Sequence, residues 1–220
     1  HGKDDAVPWR FLCTTGAQSG FWTNLPVPSN WELHGFGSLN YKKDGTNPPP
    51  ERGLYELDFS LPSQWSSQRV FLVFEGAMTD TSARLNGESV GPTHQGGFYR
   101  FKYEVTPLAK FGATNRLEVA VDKHSANESV NRAERLADYW VFGGIFRPVY
   151  LEAVPQEFIE RVAIDAKADG NFTMDVLTKA TGGETAIEVQ LQKTDGTPVG
   201  SPFSAPVRGV PVLDENTLNK

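Results

Sequence analysis

One acidic residue begins an unusually apolar stretch, "DYWVFGGIFRPVYLEAVP", which runs from Asp138 to Pro155. A carboxylate accepts hydrogen bonds from two or more hydroxyl groups, and neighbouring aromatic rings can supply an apolar wall beside it. Asp138 is therefore a candidate binding residue. The structural alternative is that Asp138 caps a turn while Tyr139 and Trp140 fill the core. For Trp140 and Phe142 the core interpretation is favoured, because large aromatic residues dominate protein cores.

The other residues that could do chemistry are scattered. Glu128 and Glu134 are the acids nearest to Asp138, but a solvent-exposed loop explains them more simply than an acid/base pair does. The single Cys13 has no second cysteine for a disulfide or a zinc site, so cysteine gives no metal signal. We predict no metal and no cofactor. No metal-ligand spacing links the histidines, which we interpret as isolated surface or hydrogen-bonded side chains: His34, His94 and His124.

The charge and the apolar runs narrow the range of partners. The 220 residues carry a formal charge of -6 without long charged runs, which argues against nucleic acid or an anionic membrane surface. The longest apolar runs, such as "VFLVF" at 70–74, are too short to cross a bilayer, and no secretion signal begins the chain. We expect a soluble chain with no nucleic-acid or membrane partner. The compartment stays open, with periplasmic or secreted preferred to cytoplasmic.

The elements that must position Asp138 are β-strands. The composition, with 21 Gly and 15 Pro, suits short strands joined by turns. Residues 54–62 alternate polar and apolar side chains, residues 69–76 are typical of a strand buried on both faces, and Asn86-Gly87 predicts a hairpin. Only residues 130–140 leave a short helix and a loop equally open. Further strands are predicted at 98–105, 116–123 and 147–154.

A second pattern begins after Pro155. Strand-like segments at about 158–165, 171–179 and 185–193 are separated by the turn signals Asp169-Gly170 and Gly182-Gly183. This spacing predicts the first strands of an immunoglobulin-like sandwich, which needs about 100 residues and seven strands. We therefore predict two domains, one over 1–155 and a truncated sandwich over 156–220.

Five segments carry a family resemblance in a fixed order. They are "VPSNWELHGFG" (27–37), "LYELDFSLPSQW" (54–65), "VFLVFEGAMTDTSARLNGESVG" (70–91), "GGFYRFKYEVT" (96–106) and "DYWVFGGIFRPVYLEAVP" (138–155). Together they resemble the N-terminal part of glycoside hydrolase family 2 enzymes, which include β-galactosidases and β-glucuronidases. The resemblance implies an all-β fold: a jelly-roll sugar-binding domain followed by a partial immunoglobulin-like sandwich.

The resemblance also implies site residues and partners. In the family a C-terminal TIM barrel carries both catalytic carboxylates, so the 220 residues alone are expected to be inactive toward a β-glycoside substrate. Asp138 matches the acid that reaches from the jelly roll to sugar hydroxyls, and in some β-galactosidases to a cation. Trp140 is a second candidate for sugar contact. A β-galactosidase loop asparagine aligns with Lys43, which argues against a strict galactosidase pocket. Asn40 lies close by and is a third candidate for sugar contact.

Three function classes remain open from the sequence. The first is the non-catalytic front of a β-glycosidase that shapes the substrate pocket and stabilises the enzyme. The second is a free-standing carbohydrate-binding module with an exposed aromatic platform. The third is a structural interaction domain whose aromatic residues are all internal. About 300 further residues of alternating strands and helices would identify the first class.

Overall fold

The computed structural model describes residues 2–41, 50–136, 138–179 and 186–206. The chain separates into two compact units, His1–Ala153 and Val154–Lys220. Among the described residues, no helix is long and apolar enough to cross a membrane. Lys43, the residue aligned with the loop asparagine, lies outside the described residues.

The first unit is built from two main sheets. In the larger sheet the strands lie in the order β2-β1-β4-β9-β6-β7, and each strand is antiparallel to its neighbours. The second sheet has the order β11-β5-β8, and β3 pairs separately with β10. The strands of this unit are β1 Val7–Cys13, β2 Thr23–Val27, β3 Asn40–Tyr41, β4 Arg52–Ser60, β5 Arg69–Phe74, β6 Asp80–Leu85, β7 Glu88–Ser89, β8 Phe101–Glu104, β9 Thr114–Asp122, β10 Trp140–Val141 and β11 Val149–Val154.

Short helices connect several of these strands. Helix α1 covers Glu128–Glu134 and is capped by the preceding Asn127, whose side chain accepts a hydrogen bond from the backbone N–H of Ser129. Such a cap satisfies one of the unpaired N–H groups of the first turn. Three 3-10 turns complete the unit: Lys3–Asp5, Trp31–His34 and Ser63–Ser67. The helix that was one of two alternatives for 130–140 therefore forms, slightly earlier in the chain.

Side chains from both main sheets form one core. The period-two pattern of β4 and β9 turns Tyr55 and Val119 inward, and β5 is buried along nearly its whole length, as predicted from its apolar run. Phe11 packs against Tyr55 with ring centroids 4.9 Å apart. Cys13 lies in the same core, where burial raises the pKa of its thiol to about 11.

Turn chemistry fixes the register of the β6–β7 hairpin. Asn86 and Gly87 have φ angles of 56° and 88°, both in the left-handed region. A two-residue turn of this kind matches the twist of the flanking strands, and Asn-Gly is the residue pair that adopts it most readily. The hairpin predicted from this dipeptide is confirmed.

In the described residues of the second unit, four strands form two pairs. β12 (Phe158–Ala166) pairs antiparallel with β13 (Phe172–Lys179), and β14 (Ala186–Val189) pairs antiparallel with β15 (Phe203–Pro206). With the sandwich-like sheets of the first unit, these pairs confirm the predicted all-β class. The immunoglobulin-like assignment of this unit and the domain limits at 155 and 156 stay predictions.

Candidate functional site

Asp138 begins a segment, residues 138–146, that lies against the start of the loop after β2. Within this segment β10 pairs antiparallel with β3, so that Trp140 lies opposite Tyr41 and Val141 lies opposite Asn40. Two residues that the sequence placed in separate motifs, Asn40 and Trp140, are thus brought to one two-stranded ladder. The third candidate, Asp138, lies two residues before this ladder.

Tyr41, which the sequence analysis did not identify as a candidate, forms a hydrogen bond with Asp138. The Tyr41 hydroxyl donates a hydrogen bond to Asp138 Oδ1 at 2.5 Å, and this bond raises the pKa of Tyr41. The rings of Tyr41 and Trp140 have centroids 5.2 Å apart and an interplanar angle of 57°. Asp138, Tyr41 and Trp140 therefore form one exposed group, which we call the Asp138 ledge.

Exposure decides between the two interpretations of Trp140. Its side chain is 46% exposed, so the favoured core interpretation is wrong for this residue. The reason is the alternation along β10: the neighbouring Val141 is 1% exposed and takes the inward position. Phe142 is half-buried, and Asn40 is half-buried beside the ledge.

A buried charge cluster bonds to the backbone near both strands that carry the ledge. Lys123 Nζ is 2.8 Å from Glu32 Oε1 and 3.3 Å from Glu51 Oε1, and all three side chains are almost fully removed from solvent. Glu51 also accepts hydrogen bonds from Trp31 Nε1 at 2.8 Å and from the backbone N–H of Ser38 at 2.9 Å. Lys123 Nζ donates a further bond to the carbonyl of Ser38.

The same cluster reaches the 138–146 segment. The N–H of Gly143 donates to both carboxylate oxygens of Glu32, at 2.9 and 3.1 Å. Arg135, 1% exposed, donates from Nη1 to the carbonyl of Phe142 at 2.9 Å and from Nη2 to Thr79 Oγ1 at 2.7 Å. The peptide group between Phe142 and Gly143 is thus bonded on both sides by buried ionised side chains.

Glycine is required where this segment crosses the core. A Cβ atom on Gly143 would lie 2.1 Å from Trp31 Cζ2, closer than any real contact, and Gly144 has a φ of 110°. The backbone at 143 therefore rests directly on the indole ring. The two adjacent glycines therefore permit the close approach of this backbone to the core.

Glu128, Glu134 and His94 each have a separate partner. Glu128 is exposed and pairs with Arg132 at 3.7 Å, whereas Glu134 is buried and accepts a hydrogen bond from the Gly97 N–H at 2.7 Å. His94 stacks on Phe101 with ring centroids 3.7 Å apart. Within the part of the chain that the structure describes, no group of three or more His, Cys, Asp or Glu side chains could hold a metal ion.

The Asp138 ledge has the chemistry of a binding surface. An ionised carboxylate accepts about four hydrogen bonds, and the two aromatic rings offer apolar faces beside it. The ledge could therefore receive hydroxyl groups and the C–H face of a small polar ligand. Tyr41 and the buried cluster were missed in the sequence because nothing local marks them: Tyr41 lies 97 residues from Asp138, and Gly143 lies 111 residues from Glu32.

Comparison with a family of known sequences identifies the fold. The model of the family described as "Glycosyl hydrolases family 2, sugar binding domain" matches residues 17–155. A β-galactosidase from Pseudoalteromonas haloplanktis is 31% identical over 190 residues, which is 81% of this chain and 18% of that protein. A β-galactosidase from Thermoanaerobacter pseudethanolicus is 30% identical over 133 residues, 59% of this chain and 18% of that protein. The chain thus spans less than a fifth of the length of either relative.

Solved structures give the same result for the fold. A β-glucuronidase from Ruminococcus gnavus in complex with D-glucaro-d-lactam superposes with a TM-score of 0.69 at 20% identity, covering 91% of this chain and 37% of that one. A Faecalibacterium prausnitzii β-glucuronidase gives 0.66 at 25% identity, covering 92% and 38%. The match of the family model over more than half of the chain and the identity to the P. haloplanktis enzyme agree on one assignment. This chain belongs to glycoside hydrolase family 2.

Proposed function

We propose that this chain is the non-catalytic N-terminal portion of a β-galactosidase-like β-glycosidase, which hydrolyses O-glycosyl bonds in carbohydrate degradation. Its role is to complete the substrate pocket and to stabilise the enzyme. The observation that carries the proposal is the Asp138 ledge, in which an exposed carboxylate and two exposed aromatic rings lie together on two paired strands, one of them in a charge-bonded segment.

The proposal assigns a part to each region of the chain. Residues 1–155 are the jelly-roll sugar-binding domain, and residues 156–220 are the beginning of an immunoglobulin-like sandwich. The partner is a C-terminal TIM barrel of the same enzyme. Retaining glycosidases use two carboxyl groups about 5–5.5 Å apart, one as acid/base and one as nucleophile, and we assign both to that barrel.

The charge of the ledge favours a neutral sugar over a uronic acid. A substrate carboxylate placed beside ionised Asp138 would meet a like charge, which disfavours both ionised forms. Hydroxyl groups of a neutral hexose would instead donate to the carboxylate, and charge-assisted bonds of this kind are stronger than neutral ones. This agrees with the two β-galactosidases at 30% and 31% identity.

A free-standing carbohydrate-binding module is the second candidate. Trp140 and Tyr41 are 46% and 49% exposed and lie side by side, which is the kind of aromatic platform that a binding module presents to a sugar. On this alternative, the ledge would bind a saccharide without any barrel.

Two measurements test the proposal. The reading frame is expected to continue past Lys220 with about 300 residues of alternating strands and helices. The full-length protein is expected to hydrolyse an aryl β-galactoside faster than the matching β-glucuronide, while the 220 residues alone turn over neither. A stop codon directly after Lys220 would favour the binding module, and turnover by the 220 residues that Glu128→Gln or Glu134→Gln abolishes would contradict the proposal.

A further inference from the structure

We propose that Glu32, Lys123 and Arg135 act as a charged clamp that positions the Asp138 ledge for its ligand. These residues are thereby positioning residues, since they act through the backbone and touch no sugar. The inference rests on the proposed function, because it takes the ledge as the sugar-contacting surface.

The clamp holds the segment that carries Asp138 and Trp140 at a single peptide group. Arg135 binds the carbonyl oxygen of Phe142 at 2.9 Å, and Glu32 binds the N–H of Gly143 with both oxygens, at 2.9 and 3.1 Å. A peptide group bonded on both sides can neither rotate nor slide without breaking a charge-assisted bond. Asp138 lies only a few residues before this fixed point.

The clamp also holds the opposite strand of the ledge. Lys123 donates to the carbonyl of Ser38, and its partner Glu51 accepts from the N–H of the same residue at 2.9 Å. Ser38 lies two residues before β3, which supplies Tyr41 to the ledge. One buried cluster therefore fixes both backbones that meet where Tyr41 bonds to Asp138.

Thr79 connects the Arg135 side chain to the backbone of Lys123. Thr79 Oγ1 accepts from Arg135 Nη2 at 2.7 Å and donates to the carbonyl of Lys123 at 2.7 Å. Arg135 follows directly after helix α1, so the helix end, the start of β6 and the end of β9 are joined by this bridge. The position of the ledge is thus tied to three buried residues: Thr79, Lys123 and Arg135.

Stability alone does not account for so many buried charges. Burial raises the pKa of Glu32 and lowers that of Arg135, which means that desolvation opposes both ionised forms. A well-packed apolar group of similar volume often stabilises a protein as well as a buried ion pair does. Directional bonds to defined backbone atoms, by contrast, give what an apolar contact cannot: one orientation of the segment.

A double-mutant cycle in the full-length protein tests the clamp, with Glu32→Gln as the first variant. The amide has the shape of the carboxylate, but its NH₂ group must face either the Gly143 N–H or the Lys123 ammonium, so that a donor meets a donor. We expect Glu32→Gln to lower kcat/KM for an aryl β-galactoside about tenfold when Asp138 is present. In an Asp138→Ala background the same change should lower kcat/KM less than about twofold, because positioning matters only if the positioned acid is there.

Controls separate positioning from general destabilisation. Glu104→Gln makes the same chemical change away from the ledge, where it removes the 2.5 Å ion pair between Glu104 on β8 and Arg69 on β5. This control variant should keep kcat/KM within about twofold of wild type. Hydrogen exchange of the peptide spanning 138–146 should rise in Glu32→Gln and not in Glu104→Gln. If Glu32→Gln does not fold, Arg135→Lys, which keeps the charge but loses the planar fork, takes its place in the cycle.

The possible outcomes distinguish failure of the clamp from failure of the proposed role of the ledge. Equal loss from Glu32→Gln with and without Asp138 would overturn the clamp while leaving the proposed function intact. Wild-type kcat/KM in Asp138→Ala would instead overturn the role of the ledge, on which the clamp depends. A non-additive cycle with increased exchange at 138–146 is the result that supports positioning.

Discussion

Replacing Asp138 by alanine is expected to lower kcat/KM of the full-length protein about tenfold to a hundredfold while the protein stays folded. A hydrogen bond to a charged group contributes about 1.5–3 kcal/mol, and the substitution removes such an acceptor from the sugar. The fold should be little affected, because Asp138 is exposed and its bond from Tyr41 lies on the surface. Steady-state kinetics and thermal unfolding measured on the same preparation give both quantities.

Two further variants separate the contributions at the ledge. Asp138→Asn keeps acceptor capacity and should be milder than alanine if the acid only accepts hydrogen bonds, but comparably severe if its charge also holds a cation. Tyr41→Phe removes the 2.5 Å hydrogen bond to Asp138 and keeps the ring beside Trp140, so a smaller loss is expected. A drop of several degrees in Tm with unchanged kcat/KM in Asp138→Ala would show that the residue is only a structural cap.

Gly143→Ala is expected to lower the free energy of unfolding by about 3 kcal/mol or more, at the upper end of the cost of overpacking a core. The new Cβ would lie 2.1 Å from Trp31 Cζ2, and Trp31 is fully buried, so the indole has nowhere to move. For a chain of this size the change corresponds to a fall in Tm of roughly 6–12 °C.

Gly87→Ala is the matched control for this prediction. Gly87 has a φ of 88°, but a Cβ added there would have no atom within 4 Å, so alanine meets conformational strain without a clash. That strain costs about 1–2 kcal/mol for an alanine in the left-handed region. A Tm for Gly143→Ala at or above that of Gly87→Ala would contradict the close approach of segment 138–146 to Trp31.

Local sequence signals located the middle strands but missed the first two. Period two and turn residues are local properties, and they marked β4, β5 and the β6–β7 hairpin. β1 and β2 each contain a proline, which argues against a strand because proline cannot donate to a ladder. In the structure Pro8 and Pro26 lie opposite each other at the edge of the sheet, so the two missing N–H donors fall on a single residue pair.

The sequence predicted only the site residues that lie within a recognisable motif. Asp138 was identified from its own segment, whereas Tyr41, Glu32 and Lys123 act through partners far away in the chain. Lysine and glutamate are almost never fully buried unless paired, so the sequence alone gives them an exposed location. The core interpretation of Trp140 was wrong for a different reason. A two-residue strand turns one side chain inward and the next outward, and aromatic character does not indicate which of the two faces inward.

A crystal structure of the full-length protein with a bound hexose measures the central claim directly. We expect a carboxylate oxygen of Asp138 to lie about 2.5–3.0 Å from a sugar hydroxyl oxygen, with Tyr41 and Trp140 beside the sugar. We also expect the Gly143 N–H to remain bonded to Glu32 in the complex. A sugar bound in the barrel with Asp138 more than about 5 Å from each of its oxygens, beyond any hydrogen bond, would contradict the role of Asp138 in sugar binding.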